Sequence, residues 1–214
     1  MNIKKIKNII EILKKYIDDD ELKFIIDGIT QFITYDNIFI EYSIKYIYDK
    51  NEHKIENRIL FGLIYKQEDH KKYFDFMNID IFDIKDYNDV VYFGYDKSNN
   101  VKKIYFEKIY VGLVCYEYTN NKLNNIKNYH IIKNISHNIL NFVPESLRNL
   151  LKYNYSDIFY FINKNLQIYQ FKLKDILNYN DDFYCSIISL AFDNDNNIKY
   201  HTYYLRFKDL SIHI

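Results

Sequence analysis

Glycine occurs four times in this chain of 214 residues and proline once. Because Gly28, Gly62, Gly94 and Gly112 stand singly, no glycine-rich phosphate loop of the P-loop, kinase or dinucleotide-binding kind can be built in its standard form. Cysteine is limited to Cys115 and Cys185, each inside an apolar run. Two thiols cannot staple a domain of this size, and buried, reduced cysteines are expected. The six histidines, His53, His70, His130, His137, His201 and His213, show no paired ligand spacing, so no structural zinc is expected. Ser98, Ser136 and Ser186 lack the context of a nucleophile elbow. Net charge is also missing. Lysine plus arginine and aspartate plus glutamate both number 29, which gives no general attraction to nucleic acid or an anionic membrane and makes nucleic acid an unexpected partner. No apolar stretch is long enough to span a bilayer, and the opening residues lack the apolar block and cleavage site of a signal peptide. The expectation is a cytoplasmic protein, residing in the host cytoplasm if the source is viral.

What the chain does have is 24 tyrosines and 16 phenylalanines in a composition that is 48% hydrophobic, enough to bury a sizeable core. Nothing reads as a linker, so residues 1–214 are taken as one domain. Residues 2–34 form a helical pair: Ile3, Ile6, Ile9, Ile10, Leu13 and Ile17 share one helical stripe, Asp18 to Asp20 end it and cap a second helix, and Leu22, Ile25, Ile26, Ile29, Phe32 and Ile33 make the next face. From Ile38 the period changes to two. Five hairpins follow across residues 38–207: 38–48 with 54–65, 90–95 with 101–106, 109–118 with 125–132, 158–163 with 166–173, and 183–192 with 198–207. Helices are expected at 67–77 and within 136–153, where Pro144 suits a first turn. The segment 78–89 is ambiguous, and 174–180 has room for one short helix.

About ten antiparallel strands, interrupted by helices without alternating singly with them, define the α+β class. A sheet this wide curls or closes, which leads to a barrel or strongly curved sheet covered on one face by helices.

One pattern recurs on the second strand of successive hairpins: a cation or amide two residues before a tyrosine. Lys103 with Tyr105, Lys127 with Tyr129 and Gln167 with Tyr169 show it, His201 with Tyr203 is looser, and Arg58 holds the corresponding place in hairpin one. The strand period of two sends each pair to one face. Gathered together, the cations would grip a diphosphate and the rings would shield a carbocation at roughly 1 kcal/mol per ring. In hairpin two this puts Ile104 and Phe106 outward. In hairpin four the same phase puts Gln170 and Lys172 against the helices.

On these residues the chain resembles the aromatic prenyltransferases of the αββα-repeat, or ABBA, fold. The resemblance implies a ten-stranded antiparallel barrel whose lumen takes an allylic diphosphate and an aromatic acceptor, small molecule or peptide. It implies diphosphate binding by Arg58, Lys103 and Lys127, with Gln167 on the substrate side, and shielding by Tyr105, Tyr129, Tyr169 and Tyr203. The resemblance also implies that Glu41 is the carboxylate that orients the acceptor. No cofactor is required, and Mg2+ would come with a diphosphate substrate. Two other readings use the same residues on an exposed sheet: a viral or bacterial scaffold protein with a protein partner, and a single-stranded nucleic-acid binder.

Overall fold

The computed structural model describes residues 3–35, 38–48, 53–80, 89–96, 100–108, 111–132 and 137–208. The ambiguous stretch 81–88, most of the turn after Asp96, Ser98, Ser136 and His213 lie outside them. Two helices open the chain, α1 (Ile3–Leu13) and α2 (Asp19–Gln31). The aspartates act as expected: the Asp18 carboxylate accepts from the backbone N–H groups of Asp20 and Glu21, and Glu21 accepts from the Asp18 N–H in a capping box.

Ten strands follow: β1 (Ile38–Tyr48), β2 (His53–Ile64), β3 (Val90–Asp96), β4 (Val101–Lys108), β5 (Gly112–Thr119), β6 (Lys122–Ile132), β7 (Tyr155–Asn163), β8 (Leu166–Asn178), β9 (Phe183–Phe192) and β10 (Ile198–Phe207). They form a closed antiparallel barrel in the order β1-β10-β9-β8-β7-β6-β5-β4-β3-β2. The five hairpins sit side by side, and the last strand returns to the first, Arg206 opposite Glu41 and Tyr200 opposite Ile47. The narrowest joint is β6 to β7, paired only from His130 to Ile132. Beyond it the rings of Tyr129 and Phe161 meet at 3.9 Å.

Among the described residues, three further helices are α3 (His70–Met77), preceded by a 3-10 turn at Gln67–Asp69, α4 (His137–Leu140) and α5 (Glu145–Leu151). Pro144 is the N-cap of α5 and stands just before its first turn. Two corrections concern connections. Residues 174–178 continue β8 past an irregularity between Lys172 and Leu177, so no helix forms there. Helices also cover an arc of the barrel and not its full circumference, because the links between β4 and β5 and between β8 and β9 are too short to hold one. In the covered arc, Tyr16 after α1 packs on Tyr42 and Phe183, and Phe24 and Phe32 around α2 pack on Phe61 and Phe93. Phe74 of α3 stacks on Phe106. Away from it, Ile126 and Ile162 stay exposed.

Alternation sorts the two faces. Ile38, Ile40, Tyr42, Ile59, Phe61, Val91, Phe93, Ile104 and Phe106 point outward into the main core, and their strand neighbours point into the lumen. The closest approach between helix and barrel is at Gly28, where an added Cβ would stand 2.3 Å from Cζ of Phe61. That ring is fully buried against Phe24, Phe32, Phe76 and Phe93 and has nowhere to go. Helix propensity favours alanine over glycine by about 1 kcal/mol, while overpacking costs about 1–3 kcal/mol. Gly28→Ala is expected to lower the stability of the barrel in urea unfolding; a more stable variant would show that α2 is not clamped onto β2.

Candidate functional site

The lumen holds a cavity of about 290 Å³, lined from all faces of the barrel except the outward stripe. It lies at the small end of the roughly 300–1,000 Å³ usual for small-molecule sites. Its charged side chains fall into two groups.

Nearer the rim where β3 gives way to β4 lie Lys45, Arg58, Lys103 and Lys127, facing Glu56, Asp96 and Glu117. Lys103 and Glu117 are opposite each other across β4 and β5, and Cys115 is opposite Lys127 across β5 and β6. One oxygen of Glu117 therefore receives both lysines, Lys103 Nζ at 2.9 Å and Lys127 Nζ at 2.6 Å, and Asn125 donates to the other at 3.0 Å. Burial alone would raise the Glu117 carboxyl, but the two lysines more than offset it and it titrates at about 2. Lys45 reaches Glu56 at 3.2 Å and lies 4.3 Å over the Tyr200 ring. Burial pushes the Lys45 and Lys103 ammonium groups down, and the nearby Arg58 charge pushes both further. Arg58 is less well held. Its carboxylate neighbours stand at 3.8 Å (Asp96) and 3.9 Å (Glu56), and its Nε is buried without a hydrogen-bond partner. These separations exceed hydrogen-bond length.

Along the middle, Leu60, Tyr105, Leu113, Tyr129, Phe161, Ile168, Ile187 and Tyr204 make an aromatic and aliphatic wall. Burial raises the Tyr105 and Tyr129 phenols well above their usual range and lifts the Cys115 thiol to about 12, so all three stay neutral. At the far end Arg206 Nε is 3.3 Å from Glu41, its guanidinium lies 4.9 Å over the Phe39 ring, and the Tyr92 hydroxyl donates to Glu107. Gly62 permits this end to form, since a Cβ there would stand 2.2 Å from Phe39. Burial raises the Glu41 carboxyl, an effect Arg206 opposes and Glu107 reinforces.

Of the residues singled out in the sequence, Glu41, Arg58, Lys103, Tyr105, Lys127 and Tyr129 come together in this lumen. Three do not, and these are corrections. Gln167 and Tyr169 lie on the outer face of β8, with the Tyr169 ring against Tyr160 at 5.0 Å and its hydroxyl donating to Gln167 at 3.2 Å. Tyr203 is on the outer face of β10 beside Tyr46 and Tyr179. The register shows the reason: Gln170 and Tyr204 are the inward members of those strands, joined by a hydrogen bond of 3.1 Å. Lys45, Tyr92, Glu107, Glu117, Tyr200, Tyr204 and Arg206 also line or serve the lumen. The alternation Tyr200, Thr202, Tyr204, Arg206 against Leu205 and Phe207 marks three of those inward positions in the sequence, with Thr202 as a fourth lining residue.

Glu56 and Glu117 are engaged by lysines, and among the described residues no three His, Cys, Asp or Glu side chains converge to hold a metal ion. Among the described residues no helix is long and apolar enough to cross a membrane, and both cysteines are free and buried.

Glu117→Gln leaves Lys103 and Lys127 without their shared anion and is expected to cost about 3–5 kcal/mol near neutral pH. The folded carboxyl titrates below its unfolded value of 4.5, so its stabilisation is complete above pH 4.5 and drains away as pH falls toward about 2. The gap between wild type and variant in denaturant unfolding should narrow across that window; a pH-independent gap would contradict the ion-pair account. No protein-family model matches the chain and no curated protein matches its sequence, so the reading of this lumen stands on its geometry and chemistry.

Proposed function

We propose that the lumen binds an allylic diphosphate and an aromatic acceptor, and that the protein transfers the prenyl group between them. The observation that carries this is the convergence of Arg58, Lys103 and Lys127 with Tyr105 and Tyr129 inside one closed barrel.

In the proposed reaction the allylic carbon–oxygen bond breaks and both electrons leave with the diphosphate. Arg58, which has donor capacity to spare, takes the leaving group with Lys103 and Lys127. The allylic cation is shielded by the faces of Tyr105 and Tyr129, with Tyr200 and Tyr204 completing the ring wall that sequence reading assigned to Tyr169 and Tyr203. Neutral phenols suit this task, because an ionised phenolate would capture the cation. An aromatic carbon of the acceptor forms the new bond and loses its proton. In this reading Glu41, buried and drawn to a higher pKa, orients the acceptor and receives that proton. A cavity of about 290 Å³ favours a short prenyl chain.

The scaffold and single-stranded nucleic-acid readings both need the lysines and tyrosines on an open sheet face. Lys103 and Tyr129 are 7% exposed and point into the lumen, which lends neither reading support.

The test is incubation with short-chain allylic diphosphates and a panel of phenols and indoles, read by mass spectrometry. A prenylated product is expected. Arg58→Gln should weaken the thermal response to inorganic pyrophosphate about 10- to 100-fold, the equivalent of one set of charge-assisted hydrogen bonds worth ~1.5–3 kcal/mol. Absence of product with every pair, together with no response to pyrophosphate, would falsify the proposal.

A further inference from the structure

The two charged groups in the lumen are not equivalent. Toward the Lys103 end, four cations (Lys45, Arg58, Lys103, Lys127) face three carboxylates (Glu56, Asp96, Glu117). Toward the Glu107 end, two carboxylates, Glu41 and Glu107, share the chamber with one cation, Arg206. The chamber is therefore polarised, positive at one end and negative at the other.

Within the negative end the partners are already distributed. Arg206 serves Glu41 at 3.3 Å and covers the Phe39 ring. Glu107 lines the cavity, accepts a hydrogen bond from the neutral Tyr92 phenol, and among the described residues joins no ion pair. Its negative charge is felt by the fully enclosed Glu41. Glu107 is half-buried at the cavity wall, and one hydrogen bond from Tyr92 leaves acceptor capacity on its carboxylate facing the chamber. The opposite end shows the complementary vacancy, the unpartnered Nε of Arg58. A ligand set that completes both ends carries an anion toward Arg58 and a cation toward Glu107.

We propose that the acceptor for this chamber carries a positively charged amine, held by the Glu107 carboxylate, with its aromatic ring beside Tyr105. This rests on the reading of the lumen as a two-ligand chamber and adds the chemical class of the second ligand. The spacing along β4 agrees. Glu107, Tyr105 and Lys103 are successive inward residues of one strand, so at ~3.3 Å per residue they stand about 7 Å apart from one to the next and about 13 Å from end to end. An arylalkylamine with a short tether puts its ammonium at Glu107 and its ring at Tyr105, leaving the Lys103 end for the anion. Tyr92 keeps its hydrogen bond to one oxygen of Glu107, and the ammonium uses the remaining acceptor capacity.

The experiment compares tyramine with 4-ethylphenol, the same body without the charge, by calorimetric titration of the full chain at neutral pH. Wild type is expected to bind tyramine about tenfold or more tightly than 4-ethylphenol. Glu107→Gln should lose that preference while keeping its affinity for 4-ethylphenol and its thermal response to pyrophosphate, which also shows that it is folded. Equal binding of the two ligands by wild type, binding of neither, or a preference that survives in Glu107→Gln would overturn the proposal. Prenylation of neutral phenols with no amine preference would leave the transferase reading standing without it. Amine preference with no prenylated product would do the reverse.

Discussion

Everything in this structure that resembles a site depends on the pairing of the first strand with the last. Between Glu41 and Ile47 on β1 and Arg206 and Tyr200 on β10, two segments more than 150 residues apart in sequence complete the sheet. That ladder turns a curved sheet with one wet face into a chamber, since closing a sheet abolishes its edges and gives every strand an inside. It also creates the negative end of the lumen directly, because Glu41 and Arg206 become neighbours only when the barrel shuts. A ten-stranded barrel is wider than small side chains can fill, which is why the inward positions carry arginine, lysine, tyrosine and phenylalanine reaching toward the axis. The helices support this from outside: Phe24, Phe32 and Phe74 bury the outward rings of β2 to β4.

The fold was largely legible because its signals are local. Polar turns between period-two runs reveal hairpins, and Asp18 with Glu21 announces a helix start by a mechanism that works within four residues. The site was legible where one face is unmistakably apolar. In β4, Ile104 and Phe106 can only be outward, so Lys103, Tyr105 and Glu107 must be inward. In β8 the alternate sets, Leu166 with Ile168 and Tyr169 with Phe171, are equally apolar, and the amide-x-tyrosine pattern carries no information about which face it occupies. A phase read from that pattern alone puts Gln167 and Tyr169 inside, whereas the strand turns them outward. In β10 the decisive signal lay further along, where Leu205 and Phe207 commit the odd-numbered residues outward and take Tyr203 with them. Glu117 was missed for a different reason: its role is fixed by the cross-strand register with Lys103, and register is a property of two strands read together.

Enclosing ten charged side chains in one lumen is a poor way to stabilise a barrel. Buried ion pairs return little beyond their desolvation cost, and apolar side chains of similar size serve a core as well or better. The charged residues here are moreover unevenly matched. Glu117 is over-supplied with two lysines, while Arg58 lies beyond hydrogen-bond reach of its carboxylates and Glu107 faces a neutral phenol. Selection for stability alone would close such gaps by shifting a side chain or replacing it with leucine. A chamber meant to receive a charged guest has the opposite requirement, because a cation whose hydrogen bonds are all satisfied internally gains nothing from a ligand anion. Glu117 then acts as the element that holds Lys103 and Lys127 in place and depresses neither one's capacity for a second acceptor, each ammonium having three donors. Arg58 supplies the unsatisfied donor that makes binding favourable. The same logic applied to Glu107 places the second vacancy at the opposite end, so the mismatch between the two ends is itself the most informative property of the lumen: it fixes the direction in which a polar ligand pair would lie along the barrel axis.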